Sequence, residues 1–221
     1  MKKTKLIAAI AAGIGLAAFS VNAATMTVSA SAPTVNGADI AQLVATDADW
    51  GSTSMWGDRP ARGQTFTTGS DVGGYTLNSI TYQSGSDRTD NRTYSIRVGT
   101  ISGTDITDVA SESTGVTGED LLTNQWATWS FDTPVSLAAN TVYGIDVVIS
   151  SGSGHTNFRN TGNPYADGTA YNSGGGGVTG ATISTGNYDY VFHLDMVAVP
   201  EPSTTALLGL GGLALILRRR K

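Results

Sequence analysis

Tyr188-Asp-Tyr-Val-Phe-His-Leu-Asp-Met-Val197 alternates with period two. Tyr190, Phe192, Leu194 and Met196 share one parity; Asp189, His193 and Asp195 share the other. Successive side chains of a strand point to opposite faces, so the stretch predicts a strand with an apolar and a polar face. Two more stretches repeat the pattern. In Arg92 to Thr100, Tyr94, Ile96 and Val98 oppose Thr93, Ser95 and Arg97; in Thr141 to Ser150, Tyr143, Ile145, Val147 and Ile149 share a face. Further strands are read at Thr25 to Ala30, Gln64 to Thr68, Tyr75 to Gln83 and Trp126 to Asp132. Within Tyr75 to Gln83 the apolar parity shifts between Leu77 and Ile80, which predicts a bulge or a kink. Turn-rich segments at Thr68–Gly74, Ser84–Asn91, Ser150–Gly154 and Gly174–Gly177 separate the strands. Asp39 to Ala45 is the one helical candidate. Seven or more strands with one-sided apolar faces predict an all-β fold, an antiparallel two-sheet sandwich with jelly-roll-like connectivity.

The two ends do not belong to this pattern. Lys2, Lys3 and Lys5 precede an uncharged stretch from Leu6 to Phe19, and Val21-Asn22-Ala23 offers a small-residue cleavage site. This reads as a secretory signal peptide over residues 1–23, cut between Ala23 and Ala24 by signal peptidase after export through the Sec translocon. A retained N-terminal anchor would need a longer apolar run. The sandwich domain then spans 24–197, and 198–221 forms a third unit. In it Val199-Pro-Glu-Pro-Ser203 is followed by an uncharged run, Thr204 to Leu217, and by Arg218-Arg219-Arg220-Lys221. Fourteen helical residues span roughly 21 Å, against a hydrocarbon core of about 30 Å. The run is therefore read as a short transmembrane helix, a temporary anchor whose basic stop stays on the cytoplasmic side. Pro200 and Pro202 keep the helix from starting earlier and leave Glu201 in an extended, accessible stretch.

Pro200-Glu201-Pro202, the Leu208-Gly-Leu-Gly-Gly-Leu-Ala-Leu215 run and the arginine-rich end occur in that order, and the segment resembles the PEP-CTERM sorting signal of Gram-negative bacteria that make extracellular polysaccharide. The resemblance implies recognition by an exosortase, a membrane cysteine transpeptidase. It makes Val199, Pro200, Glu201, Pro202 and Ser203 substrate residues, not catalytic ones. It also implies transient inner-membrane anchoring, followed by delivery to the cell surface or extracellular matrix.

A second resemblance runs from about residue 50 to 197. Gln64-Thr-Phe-Thr-Thr-Gly69, Gly74-Tyr-Thr-Leu-Asn-Ser-Ile-Thr81, Pro134-Val-Ser-Leu-Ala-Ala-Asn-Thr-Val-Tyr143 and Asn163-Pro-Tyr-Ala-Asp-Gly-Thr-Ala-Tyr171 are similar to stretches of the choice-of-anchor modules. These are bacterial surface domains with a β-sandwich related to carbohydrate-binding modules. The resemblance implies a fold and supplies no catalytic residues.

Removing the ends changes the charge. The whole chain carries −5. Between Ala24 and Ser203 lie all eighteen carboxylates against six arginines and no lysine, a net of −12. Such a surface repels nucleic acid and anionic lipid. The absence of cysteine excludes disulfides, thiolate catalysis and cysteine zinc sites, so stability must come from a packed core. About 180 residues suffice for one such core.

The search for chemistry yields candidates of unequal weight. Neither H-E-x-x-H nor G-x-S-x-G occurs. His193 reads either as a base oriented by Asp195 on the same strand face or as a partly exposed sheet histidine; His155 sits in a Ser-Gly loop. Glu112, Glu119 and Asp120 fall in a segment read as an exposed turn, and no catalytic residue is assigned. Calcium is a weaker alternative to no cofactor at all. Its candidate ligands are Asp87, Asp90 and Asn91 in one loop and Asp105 and Asp108 in another, with Asp47 and Asp49 as a further pair. Trp50 and Trp56, flanking a polar loop, and Tyr165 and Tyr171, in a Gly- and Asn-rich segment, are candidates for stacking sugar rings; the alternative is that they fill the core. The expected function is a non-enzymatic structural or adhesive role in the polysaccharide layer. The alternative is a carbohydrate-binding module engaging extracellular polysaccharide, and a polysaccharide-active enzyme ranks third.

Overall fold

The computed structural model describes residues 22–44, 52–55, 61–87, 92–102, 105–151, 156–162, 164–173, 183–185 and 188–201. The expected signal helix and transmembrane helix lie outside them. The described residues form strands and contain no helix. In chain order these are β1 (Ala24–Ser29), β2 (Ile40–Gln42), β3 (Ser52–Met55), β4 (Ala61–Thr67), β5 (Tyr75–Gln83), β6 (Thr93–Ser102) and β7 (Asp105–Thr117). There follow β8 (Trp126–Leu137), β9 (Val142–Ser151), β10 (Thr156–Thr161), β11 (Ala170–Ser173), β12 (Ile183–Thr185), β13 (Asp189–Tyr190) and β14 (Phe192–Ala198). One sheet runs β1-β8-β5-β14-β2 and a second runs β12-β11-β4-β9-β6-β7; a small third sheet is β13-β10-β3. The strand pairings are antiparallel.

The apolar parities of the sequence point into one core. Tyr94, Ile96 and Val98 of β6 and Tyr143, Ile145, Val147 and Ile149 of β9 are buried with Leu77, Ile80 and Tyr82 of β5 and Phe192, Leu194 and Met196 of β14. Trp129 of β8 is fully buried where the three sheets meet. Its ring lies edge-on to Tyr94 at 5.5 Å, Phe158 of β10 at 5.8 Å and Tyr82 at 6.3 Å. Tyr190 closes the cluster against Tyr82 at 5.4 Å. The bulge expected in β5 is present. Pairing with β8 and with β14 both skip Asn78, between Leu77 and Ser79.

Four sequence expectations are corrected. The helical candidate at Asp39 to Ala45 instead supplies β2, because Ile40 to Gln42 pair with Leu194 to Phe192 and borrow that strand's hydrogen bonds. Glu112 is not in a turn, and Asp105 and Asp108 are not in a loop; all three lie in β7, a thirteen-residue strand. Its register against β6 shifts repeatedly, and each shift breaks the two-residue period that would have revealed it. The stretch 188–197 is two strands, since the chain changes sheet at Val191. Tyr190 pairs with Asn160, whereas Phe192 pairs with Tyr82. Finally, the polar parities are not solvent-facing throughout. Asp189, His193, Arg97 and Asp146 are all buried.

At the start of β1, Ala23 and Asn22, which the sequence reading places in the signal peptide, are bonded to the domain. Ala23 O accepts from Asp132 N, which extends the ladder with β8, and Asn22 donates its backbone N–H to Glu112 O of β7.

Replacing Trp129 by Ala would remove the ring that couples the sheets. Loss of about 3–5 kcal/mol is expected, read as a lowered denaturant midpoint with a cooperative transition retained.

Candidate functional site

The described carboxylates with the deepest burial are structural ties. On the face of the six-stranded sheet opposite the core, one rung crosses five strands: Tyr171, Gly63, Asp146, Arg97 and Glu112 are successive register partners. Tyr171 donates its hydroxyl to Asp146 Oδ1, and Arg97 Nη2 donates to Asp146 Oδ2 at 2.9 Å. The Tyr171 ring lies across Gly63, where a Cβ would sit 2.2 Å from the ring, so only glycine lets the phenol reach its partner. Burial pushes Asp146 above its ordinary value against the hydrogen bonds of Tyr171 and Arg97. Burial, together with the Asp146 charge, holds the Tyr171 phenol protonated well above its usual range. Tyr171 therefore serves this rung and is withdrawn from the sugar-stacking rim proposed on sequence grounds. Replacing Arg97 by Met would strand the Asp146 charge, with an expected loss of about 3–5 kcal/mol; adding Asp146→Asn to that variant should recover part of the loss in denaturant unfolding.

His193 also finds a different partner. Its Nε2 lies 3.0 Å from Asp39 Oδ2, with both side chains buried, so Asp195 does not orient it. Burial alone would raise the Asp39 carboxyl. Hydrogen bonds from Met196 N at 2.9 Å, Asn36 N at 2.7 Å and His193 outweigh it and hold the group below its usual value of 3.8. A depressed acid stabilises the fold above its unfolded pKa and loses that contribution as the pH falls through it. Asp146, shifted upward, acts with the opposite sign. Asp39→Asn should cost about 1–3 kcal/mol near neutrality. The difference from the native chain should shrink as the pH falls below 3.8, measured by urea midpoints across pH.

Beside Asp39 an open cleft of about 410 Å³ is lined by Asp39, Asp71, Tyr75, Tyr165 and Asp167. Tyr165 is half-buried, its ring edge-on to Phe192 at 5.6 Å. Asp189 fixes this segment. Its Oδ2 accepts from Tyr165 N at 2.8 Å and its Oδ1 from Gln64 Nε2 at 2.9 Å, while Gln64 Oε1 accepts from Tyr190 N. Burial is the main cause that pushes the Tyr165 phenol up to about 12, so the hydroxyl keeps its proton near neutrality. Asp71 Oδ2 accepts from the Tyr75 hydroxyl at 2.9 Å.

Of the remaining candidates, Trp50, Trp56, His155, Asp47, Asp49, Asp90 and Asn91 lie outside the described residues. Asp87 is described. Its Oδ1 accepts from both N and Oγ1 of Thr123 at 2.6 Å, a tie between two segments distant in the chain. Among the described residues no three His, Asp or Glu side chains group to hold a metal ion.

The chain leaves the domain at the end of β14. Val199 N donates to Gly74 O at 2.9 Å, and Pro200 and Glu201 are exposed. An accessible Pro-Glu pair immediately beyond a strand is where a processing enzyme could engage extended backbone. Residues 198–221 match the PEP-CTERM protein-sorting motif. The protein is thus an exported one, sorted by way of its PEP-CTERM segment, with an exosortase as its processing partner. Pro202, Ser203, the apolar run and Arg218 to Lys221 belong to the matched segment and lie outside the described residues. No curated protein matches the chain. Among solved structures it is similar to the cysteine protease and lectin-like domains of Cwp84, a surface layer associated protein of Clostridium difficile. The identity is 7%, the TM-score 0.40, and the alignment covers 70% of this chain and 37% of that one.

Proposed function

We propose that the processed protein is a non-enzymatic structural or adhesive component of the extracellular polysaccharide layer. Its body would be a two-sheet sandwich of the choice-of-anchor kind. The run from Thr204 to Leu217 would hold the precursor in the inner membrane until the exosortase removes it. The observation that carries this reading is the junction itself, an export-sorting motif that begins within two residues of a compact all-β body. Further support comes from how the reactive side chains are used. His193 is engaged with Asp39, Arg97 and Tyr171 with Asp146, and Asp189 with Gln64 and Tyr165. Groups committed to such ties are poorly placed to turn over a substrate. No cofactor belongs to this reading; calcium at Asp87, Asp90 and Asn91 is the alternative, and a melting point lowered by chelator would favour it.

A second reading, carbohydrate binding, is favoured by the cleft. Tyrosine faces beside carboxylates are the means by which proteins stack and hydrogen-bond sugar rings. Trp50 and Trp56 remain candidates for the same role.

Intact-mass analysis of protein from the host should show loss of the segment containing Arg218 to Lys221, and only when the exosortase is present. Binding of that processed protein to the host's polysaccharide, lost on Tyr165→Ala with the melting point kept, would select the second reading. No binding to acidic or neutral glycans would leave the structural role.

A further inference from the structure

A glycine that follows asparagine lets its backbone nitrogen reach the asparagine side-chain carbonyl carbon, since no Cβ obstructs the approach or restricts φ. The chain has one such pair, Asn36-Gly37, and one aspartate counterpart, Asp167-Gly168. The residues alone point to both; the fold separates them.

Asp167-Gly168 is seated on β4. A Cβ on Gly168 would collide with Thr65 O and meet the Tyr165 ring at 2.8 Å. Thr67 Oγ1 donates to Asp167 O at 3.0 Å, and Thr169 N donates to Thr65 Oγ1 at 2.8 Å. Ring closure requires the backbone to rotate, and these contacts hold it. Asn36 and Gly37 are both exposed, and a Cβ on Gly37 would meet nothing within 4 Å. Among the described residues, neither the Asn36 carboxamide nor the Gly37 N–H has a hydrogen-bond partner. Nucleophile and electrophile are thus adjacent, unbonded and in water.

The same turn carries the Asp39 tie. Asn36 N donates to Asp39 Oδ2 at 2.7 Å, and Asp39 N donates to Asn36 O at 3.1 Å. From there the Asp39 carboxylate reaches His193 Nε2 at 3.0 Å and Met196 N at 2.9 Å, both in β14. We propose that Asn36 is a self-modification site, where spontaneous deamidation through a succinimide loosens the hold of Asp39 on β14. The Gly37 nitrogen bonds to Asn36 Cγ as the Cγ–Nδ2 bond breaks, and Nδ2 leaves as ammonia with the proton from Gly37. Water then opens the ring. Opening at Cγ gives aspartate. Opening at the former backbone carbonyl gives isoaspartate, whose main chain runs through Cγ and is one atom longer. The oxygen that accepted from Asp39 N then belongs to a free carboxylate. Either product sets a new negative charge beside Asp39, and isoaspartate also changes the spacing of the two turn bonds. Gly37, Ala38 and Asp39 line the cleft that holds Tyr165, so the change falls on its rim.

Processed protein from the host, aged in buffer at growth temperature, is mapped by electron-transfer fragmentation, which distinguishes asparagine, aspartate and isoaspartate. Position 36 should convert while Asp167 keeps its normal link. Gly37→Ala should slow the conversion roughly tenfold, a barrier higher by about 1.4 kcal/mol. Its melting point should be unchanged, because the added Cβ has room and Gly37 has no positive φ. Hydrogen exchange at the Met196 amide should quicken in the aged native protein and not in aged Gly37→Ala. An Asn36 that keeps its amide in the folded protein, or converts as fast in Gly37→Ala, overturns the site. Conversion with unchanged exchange at Met196 overturns its link to Asp39.

Discussion

Trp129 is the residue on which the architecture depends. A chain without cysteine and without helix among its described residues must hold its sheets together through side-chain contact alone. Edge-to-face packing of one large ring on Tyr94, Tyr82 and Phe158 does this at the point where three sheets converge. The geometry suits aromatic quadrupoles, and each ring also removes a large apolar area from water. The strands on either side then need only present their apolar parity toward this cluster.

Polar ties do the complementary work of fixing positions. Asp39 anchors the segment before β2 to β14, Asp189 anchors the Tyr165 segment to β4, and Asp146 joins three strands of one sheet with its two oxygens. A buried carboxylate is costly unless its lone pairs are used, and each of these has at least two donors. The acidic character of the exported domain is therefore only partly a surface property. Some of it is structural, and that part explains why so many candidate catalytic groups are already engaged.

The junction with the PEP-CTERM segment joins fold and fate. Because β14 is an inner strand of its sheet, its end is held by β5 and by the turn at Gly73 and Gly74. Folding thus determines where the motif emerges from the body.

Much of this was legible in the residues. Alternation located the apolar faces of β6, β9 and β14, and a parity slip at Leu77–Ile80 located the bulge, because period-two burial writes itself directly into sequence. The Pro-Glu-Pro triplet, the uncharged run and the basic end are local chemistry, legible in the residues without reference to the fold. Other features had no local signal. β7 was hidden by its register shifts, and β2 is a strand only because β14 offers it hydrogen bonds. Tyr171 looked like a rim residue until Gly63, more than a hundred positions away, was seen to admit its ring to Asp146. By itself the sequence determined the all-β class, the strand faces and the sorting address. Only the tertiary structure decided which charges are buried partners, where His193 points and how the motif sits on the domain, since these depend on strands distant in the chain arriving at the same rung.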